Sequence, residues 1–232
     1  MIPLRDINPT KHFPIITLSL IVLNVLVFLY EMALGGVDGE RFLYSFALIP
    51  RRLFYPDTAP VGGIPAAATI FTSMFLHGGF LHVGGNMLYL WIFGNNVEDS
   101  MGRIRYVVFY LLSGLCAAYA HAFMNKASLT PMIGASGAVS GVLGAYLLLF
   151  PRARVMTVVI FGFYVRTVAV PAMVVLGLWF ALQILNAMIA GGAAGGVAWY
   201  AHLSGFVAGM VLIGPFKRKD VPFGGGRSFQ DL

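Results

Sequence analysis

The sequence predicts an all-α membrane protein, a polytopic bundle of six transmembrane helices. Three observations lead there. Of 232 residues, 59% are hydrophobic and only 10% charged, with mean hydropathy +0.83; soluble domains run at about 45–50% and about 25%. Apolar runs recur at lengths suited to a hydrocarbon layer of about 30 Å, which takes about 20 residues per helix. Basic residues fall between these runs in an alternating pattern that sets a topology. The net charge of +6 is spread along the chain beside apolar runs, so topology explains it better than nucleic acid.

Residues 1–13 read as a short cytoplasmic segment, 14–215 as the membrane domain, and 216–232 as a flexible cytoplasmic tail. Span one, 14–34, is too long for a signal-peptide core and lacks a small-residue cleavage site, so it is a retained helix. An outer segment follows at 35–79, containing "RFLYSFALIPRRLFYPD". Its aromatics and paired arginines suit a piece lying at the interface, where arginine can snorkel. Spans two to six are expected at 80–97, 104–123, 133–150, 168–190 and 197–215. The second and fourth are short, and glycine and histidine interrupt the second and sixth. "GGAAGG" at 191–196 makes an uncharged outer loop. The tail "PFKRKDVPFGGGRSFQDL" is polar and glycine-rich, a composition that does not pack.

With the N-terminus in the cytoplasm, Arg5, Lys11, Arg103, Arg105, Arg152, Arg154, Arg166, Lys217, Arg218, Lys219 and Arg227 fall inside. Only Arg41, Arg51, Arg52 and Lys126 fall outside. The positive-inside rule therefore puts both termini in the cytoplasm. Cys116, the one cysteine, can form no internal disulfide and reads as core filler.

Polar groups inside a bilayer are costly and point to function. None of the nine acidic residues takes the middle of a span. What remains is His77, His82 and Asn86 in or before span two, Ser136 at the head of span four in "MIGASGAVSG", and His202 in span six. Each of these spans enters from the outer side, so the groups share the outer third of the membrane. His82 and Asn86 are four apart and share a helix face. Gly137 and Gly141 on span four, and Ala201, Gly205 and Gly209 on span six, form small-residue stripes that let helices approach closely. Packed together, the stripes would set His202 beside Ser136.

Taken singly, each feature has a plainer reading: Gly-Ala-Ser-Gly as packing or a helix cap, His82/Asn86 as an interhelix hydrogen-bond cluster. Asn24 and the Gln183/Asn186 pair read as interhelix glue, and His12 and His121 near span ends are assigned no role. Gathered at one depth, the set suggests chemistry. Serine needs a base, usually histidine, and no carboxylate lies at the right depth to orient one. The expectation is therefore a Ser136–His202 dyad. The N–H groups at the start of span four, with His82 and Asn86 as donors, would stabilise an oxyanion. Gly134 and Gly137 leave room for a substrate backbone.

His77-x4-His82-x3-Asn86, Gly134-Ala-Ser136-Gly137 and Ala201-His202-x2-Gly205-x3-Gly209 together resemble the rhomboid family of intramembrane serine proteases; Glu98-x3-Gly102 is similar to a further motif of that family. The likeness runs over about residues 10–215 and fits the six-helix bacterial form. It implies cleavage of peptide bonds in or near transmembrane segments, with single-pass proteins as the substrates and the lipid bilayer as the medium. It casts Ser136 as nucleophile, His202 as general base, and His82 and Asn86 as oxyanion residues. His77, Gly134, Gly137, Gly205 and Gly209 would support the site. It further implies that span five gates the site and that the GGAAGG loop caps it, in a bacterial inner or plasma membrane with the site opening outward. No cofactor and no metal are expected, since three histidines without a carboxylate or cysteine hold a metal poorly. A Trp-Arg pair of the family is missing from the outer segment, where Arg51-Arg52 stands instead.

Other readings stay open. A metalloprotease would need His-Glu-x-x-His and an aspartyl protease intramembrane aspartates; both are absent. A catalytically silent binder or chaperone of membrane helices would not need both Ser136 and His202. A small transporter with discontinuous helices would tolerate Ser136→Ala.

Overall fold

A computed structural model describes residues 1–58, 63–190 and 199–225. Strand β1 (Ile2–Asp6) precedes helix α1 (Ile15–Leu34), an uninterrupted apolar run bracketed by Pro14 and Gly35. The segment after α1 then folds into α2 (Gly36–Phe46), α3 (Pro50–Phe54) and α4 (Ala66–Thr72). After a tight turn come α5 (Phe80–Met101), α6 (Arg103–Met124) and α7 (Ser136–Leu149). Strands β2 (Arg154–Phe161) and β3 (Tyr164–Pro171) lead into α8 (Ala172–Ala190), and α9 (Trp199–Phe216) follows.

The mostly helical membrane architecture expected from composition is observed, with four or five candidate spans among the described residues where six were expected. By length and composition, α1, α6, α8 and α9 can each cross a membrane, and the stretch from α4 through Phe75, bent by 81° against α5, forms with it either a broken fifth span or a re-entrant loop. Helix α7 is shorter, 14 residues or about 21 Å at 1.5 Å per residue. It is also enclosed: Gly137 through Tyr146 are all buried, with α5, α6 and α9 around it. A helix walled by protein need not match the lipid thickness.

Small residues bring α7 and α9 together. A Cβ on Gly205 would collide with the carbonyl of Gly137, and one on Gly209 with the carbonyl of Gly141. On the other side, α6 offers Ser113 and Ala117 to Gly141 and Gly137. Backbone-to-backbone contact of this kind maximises dispersion where lipid supplies no hydrophobic drive. Below it, Phe93, Tyr146, Phe109 and Phe206 fill the core.

One end of the bundle carries the starts of α5, α7 and α9. The opposite end holds an antiparallel sheet in the order β1-β2-β3, with Ile2 opposite Val158 and Phe161 opposite Tyr164. This sheet adds to the helical fold expected, and it corrects the start of span five: residues 168–171 finish β3, and the helix begins at Ala172. The β-branched run Thr157–Ile160 suits a pleated strand. Asp6 ties the sheet to the bundle, its Oδ2 accepting from Tyr146 Oη at 2.8 Å and Asn96 Nδ2 at 3.0 Å. Nearby, the Glu98 carboxylate accepts from the N–H groups of Ile16 (3.0 Å) and Thr17 (2.8 Å) and from the Thr17 hydroxyl (2.8 Å). It thereby satisfies first-turn donors of α1 that have no partner within the helix.

Three further expectations change. Cys116, expected to fill the core, is exposed on α6, on the face turned away from the bundle's buried residues. The tail expected to be flexible from residue 216 is packed back over 217–225: Arg218 N–H donates to Ser100 O and Gly224 N–H to Leu148 O, both at 2.9 Å, and Val221 is buried. An apolar residue amid the polar run finds a groove, and backbone bonds follow. In the segment between α1 and α5, Arg52 does not reach out along the surface as expected. It is 9% exposed and its guanidinium donates to the carbonyls of Tyr44 (2.9 Å) and Ile64 (3.2 Å), holding the segment's halves together.

Candidate active site

Ser136 is the first residue of α7, and the loop before it is pinned from three sides. Met132 pairs with Leu48 through reciprocal N–H···O bonds of 2.8 and 3.1 Å, Gly134 N–H donates to Ser73 O at 2.8 Å, and Ala135 N–H points at His77 Nε2 at 3.5 Å. Gly134 has φ +121°, and the place of a Cβ there lies 2.7 Å from His82 Nε2. Only glycine suits both the backbone and the closeness of that ring. His77 thus buttresses the serine loop, and its own backbone N–H donates to Glu31 at 3.1 Å.

His82 sits in the first turn of α5. Its Nδ1 receives the N–H of Gly78 at 3.4 Å. A backbone N–H can only donate, so in the neutral ring the proton is on Nε2, the atom facing Gly134 beside Ser136. One turn further, Asn86 is 8% exposed and its Nδ2 is buried with no hydrogen-bond partner among the described residues. A buried unpaired amide is costly, and this residue lines the same cavity as Ser136, so the donor is available to a group that enters it.

His202 is the fourth residue of α9. Ala201, just before it, lies in van der Waals range of the position of a Gly137 Cβ, just after Ser136. The imidazole lies between Trp179 and Trp199, with ring centroids at 6.1 and 5.9 Å, and its Nδ1 is 2.7 Å from Gln183 Oε1. Ser136, His202, His82 and Asn86 line a single cavity of about 1090 Å³, with the 124–133 segment along its edge.

Of the residues singled out from sequence, these four are brought together, His77 and Gly134 stand directly behind them, and Gly137, Gly205 and Gly209 form the helix contact beneath. Gln183 makes an interhelix bond of the kind expected, linking α8 to the His202 imidazole on α9. One assignment changes: His121, given no role, lines the same cavity. The spacing Trp179, Gln183, Ala187 puts all three on one face of α8, a signal available in the sequence; that this face meets His202 was not. His12 stays apart, 2.6 Å from Asp99 at the opposite end. The GGAAGG loop lies outside the described residues.

The Rhomboid domain family matches residues 66–219. Rhomboid protein 1, mitochondrial, of Saccharomyces cerevisiae is 33% identical over 188 residues, 78% of this chain and 48% of that protein. RHOMBOID-like protein 1 of Arabidopsis thaliana is 29% identical over 61% of this chain and 41% of its own length. Rhomboid protease GluP of Bacillus subtilis is 30% identical over 79% of this chain and 34% of its own. The chain thus spans about half or less of the length of these relatives.

Proposed function

Since this chain belongs to the rhomboid family, we propose that it is an intramembrane serine protease that hydrolyses peptide bonds in or near transmembrane segments of other proteins. The observation that carries this reading is the convergence of Ser136, His202, His82 and Asn86, from four separate turns on three helices, on one cavity. Structural polar residues have no reason to meet there with an unpaired donor among them.

In this reading His202 Nε2 takes the proton of Ser136 Oγ as the oxygen attacks the scissile carbonyl. The negative charge that forms on the carbonyl oxygen is met by Asn86 Nδ2–H, by His82 Nε2–H and by the free N–H groups of the first turn of α7. His202 returns the proton to the leaving amine. Water entering through the cavity, activated by the same histidine, then releases the acyl group from Ser136. A site at the helix ends, not the bilayer middle, supplies that water. The basic residues cluster at the opposite end, so we place that end on the cytoplasmic side and the site towards the outer face. Single-pass helices that unwind readily are the fitting substrates.

The test is labelling by a fluorophosphonate of purified protein in mild detergent, with turnover of a transmembrane substrate. Wild type should label and cleave, while Ser136→Ala and His202→Ala should do neither. Labelling that survives Ser136→Ala would move the reactive group elsewhere; a folded wild type that neither labels nor cleaves would favour a helix-binding role.

A further inference from the structure

We propose that Gln183 is a positioning residue for His202: its amide oxygen holds the imidazole proton on Nδ1 and leaves the Nε2 lone pair for Ser136. The inference rests on His202 being the base, and deepens that reading. Three observations support it. The contact is short, 2.7 Å between Gln183 Oε1 and His202 Nδ1. Gln183 is 8% exposed, and a primary amide buried in an apolar helix is retained at a cost unless its bonds are made. No carboxylate lines the cavity among the described residues, so the acceptor that orients histidine in other serine hydrolases has no counterpart there apart from this amide.

The surroundings explain why an oriented hydrogen bond is needed. Trp179 and Trp199 confine the ring by their faces and edges, but aromatic packing does not distinguish one ring nitrogen from the other. Nor does it fix the ring's orientation: a half-turn about the Cβ–Cγ bond would put Cε1 where Nε2 stood, at little cost in contact. An acceptor at Nδ1 separates the two states, because only the Nδ1–H tautomer can donate to it. A carbonyl achieves this without placing a charge in the membrane, which a carboxylate would do at considerable cost. The device is therefore a neutral counterpart of a charged orienting group. It also binds α8 to α9 at the level of the chemistry, alongside the stacked rings of Phe180 and Phe206 at 4.5 Å.

The experiment has two readouts. In protein labelled with 15N at histidine, solid-state NMR of the resting wild type should show the His202 ring nitrogens as protonated Nδ1 and bare Nε2, assigned by loss of the signals in His202→Ala. The opposite tautomer would overturn the proposal whether or not the protein is a protease. In turnover assays, Gln183→Leu should lower kcat roughly tenfold, the scale of one lost hydrogen bond, with KM little changed. Gln183→Glu, which keeps an acceptor in that place, should recover most of the loss. An unchanged kcat in Gln183→Leu, in a wild type that still labels at Ser136, would sink the positioning role alone. Absence of any Ser136-dependent turnover in wild type would sink the protease reading instead, with the NMR signature still deciding the hydrogen bond.

Discussion

At the residue scale, the site is organised by which atoms hold protons. Gly78 N–H forces the His82 proton onto Nε2, and Asn86 Nδ2 has no partner among the described residues, so two donors face the place where an oxyanion would form. Asn86→Ala should therefore lower kcat by about 10²–10³, as removal of one oxyanion donor does, with a much smaller change in KM. Steady-state kinetics on one transmembrane substrate checks this, and an equal change in both constants would point to ground-state binding. Ser136, His82, Asn86 and His202 were legible in the sequence because a polar side chain in an apolar run stands out wherever it lies. Gln183 stood out in the same way. Its partner did not, since sequence spacing tells which face of α8 it shares with Trp179, not which helix that face meets.

At the scale of elements, the contact between α7 and α9 holds Ser136 and His202 in register. The Gly137 and Gly141 carbonyls occupy the space that side chains on Gly205 and Gly209 would need. Gly209→Val should push the helices apart and destabilise the protein by about 1–3 kcal/mol, the usual scale of overpacking. A lowered midpoint of thermal unfolding in detergent checks it. Because Gly209 lies two turns from His202 on the same helix, labelling of Ser136 should weaken in parallel; an unaltered Tm with unaltered labelling would mean that the stripe is not the fulcrum. The small-residue stripes were readable as motifs. Arg52 was not readable as a buried link, because an arginine beside aromatics fits the interface equally well until the carbonyls of Tyr44 and Ile64 are seen around it.

At the scale of the whole molecule, the sheet joins the chain's start to its middle, and Asp6 is the joint. Burial raises the Asp6 carboxyl from 3.8 to about 7, and the Tyr146 hydrogen bond pulls it only partly back. The folded protein thus keeps a proton there that the unfolded chain has released above about pH 4. That contribution to stability is fully present below about pH 4 and is lost as pH rises through about 7. Unfolding temperatures of wild type should fall between pH 5 and pH 8, while Asp6→Asn, which keeps an acceptor for Tyr146 and Asn96, should flatten the profile and be the more stable at pH 8. A parallel fall in both proteins would assign the pH dependence to other groups.

The sequence by itself determined that the protein is a membrane-embedded helical chain, where its apolar helices run, and which rare polar residues interrupt them. These are properties of composition and of spacing along one chain, set by the cost of exposing polar groups to lipid. Only the tertiary structure decided what depends on two distant segments meeting. The partner of Gln183, the proton position on His82, the burial of Arg52 and the folding back of 217–225 are of this kind. So is the pairing of Ile2 with Val158 across most of the chain. Each is a contact whose energy comes from the second partner, and no local pattern names that partner.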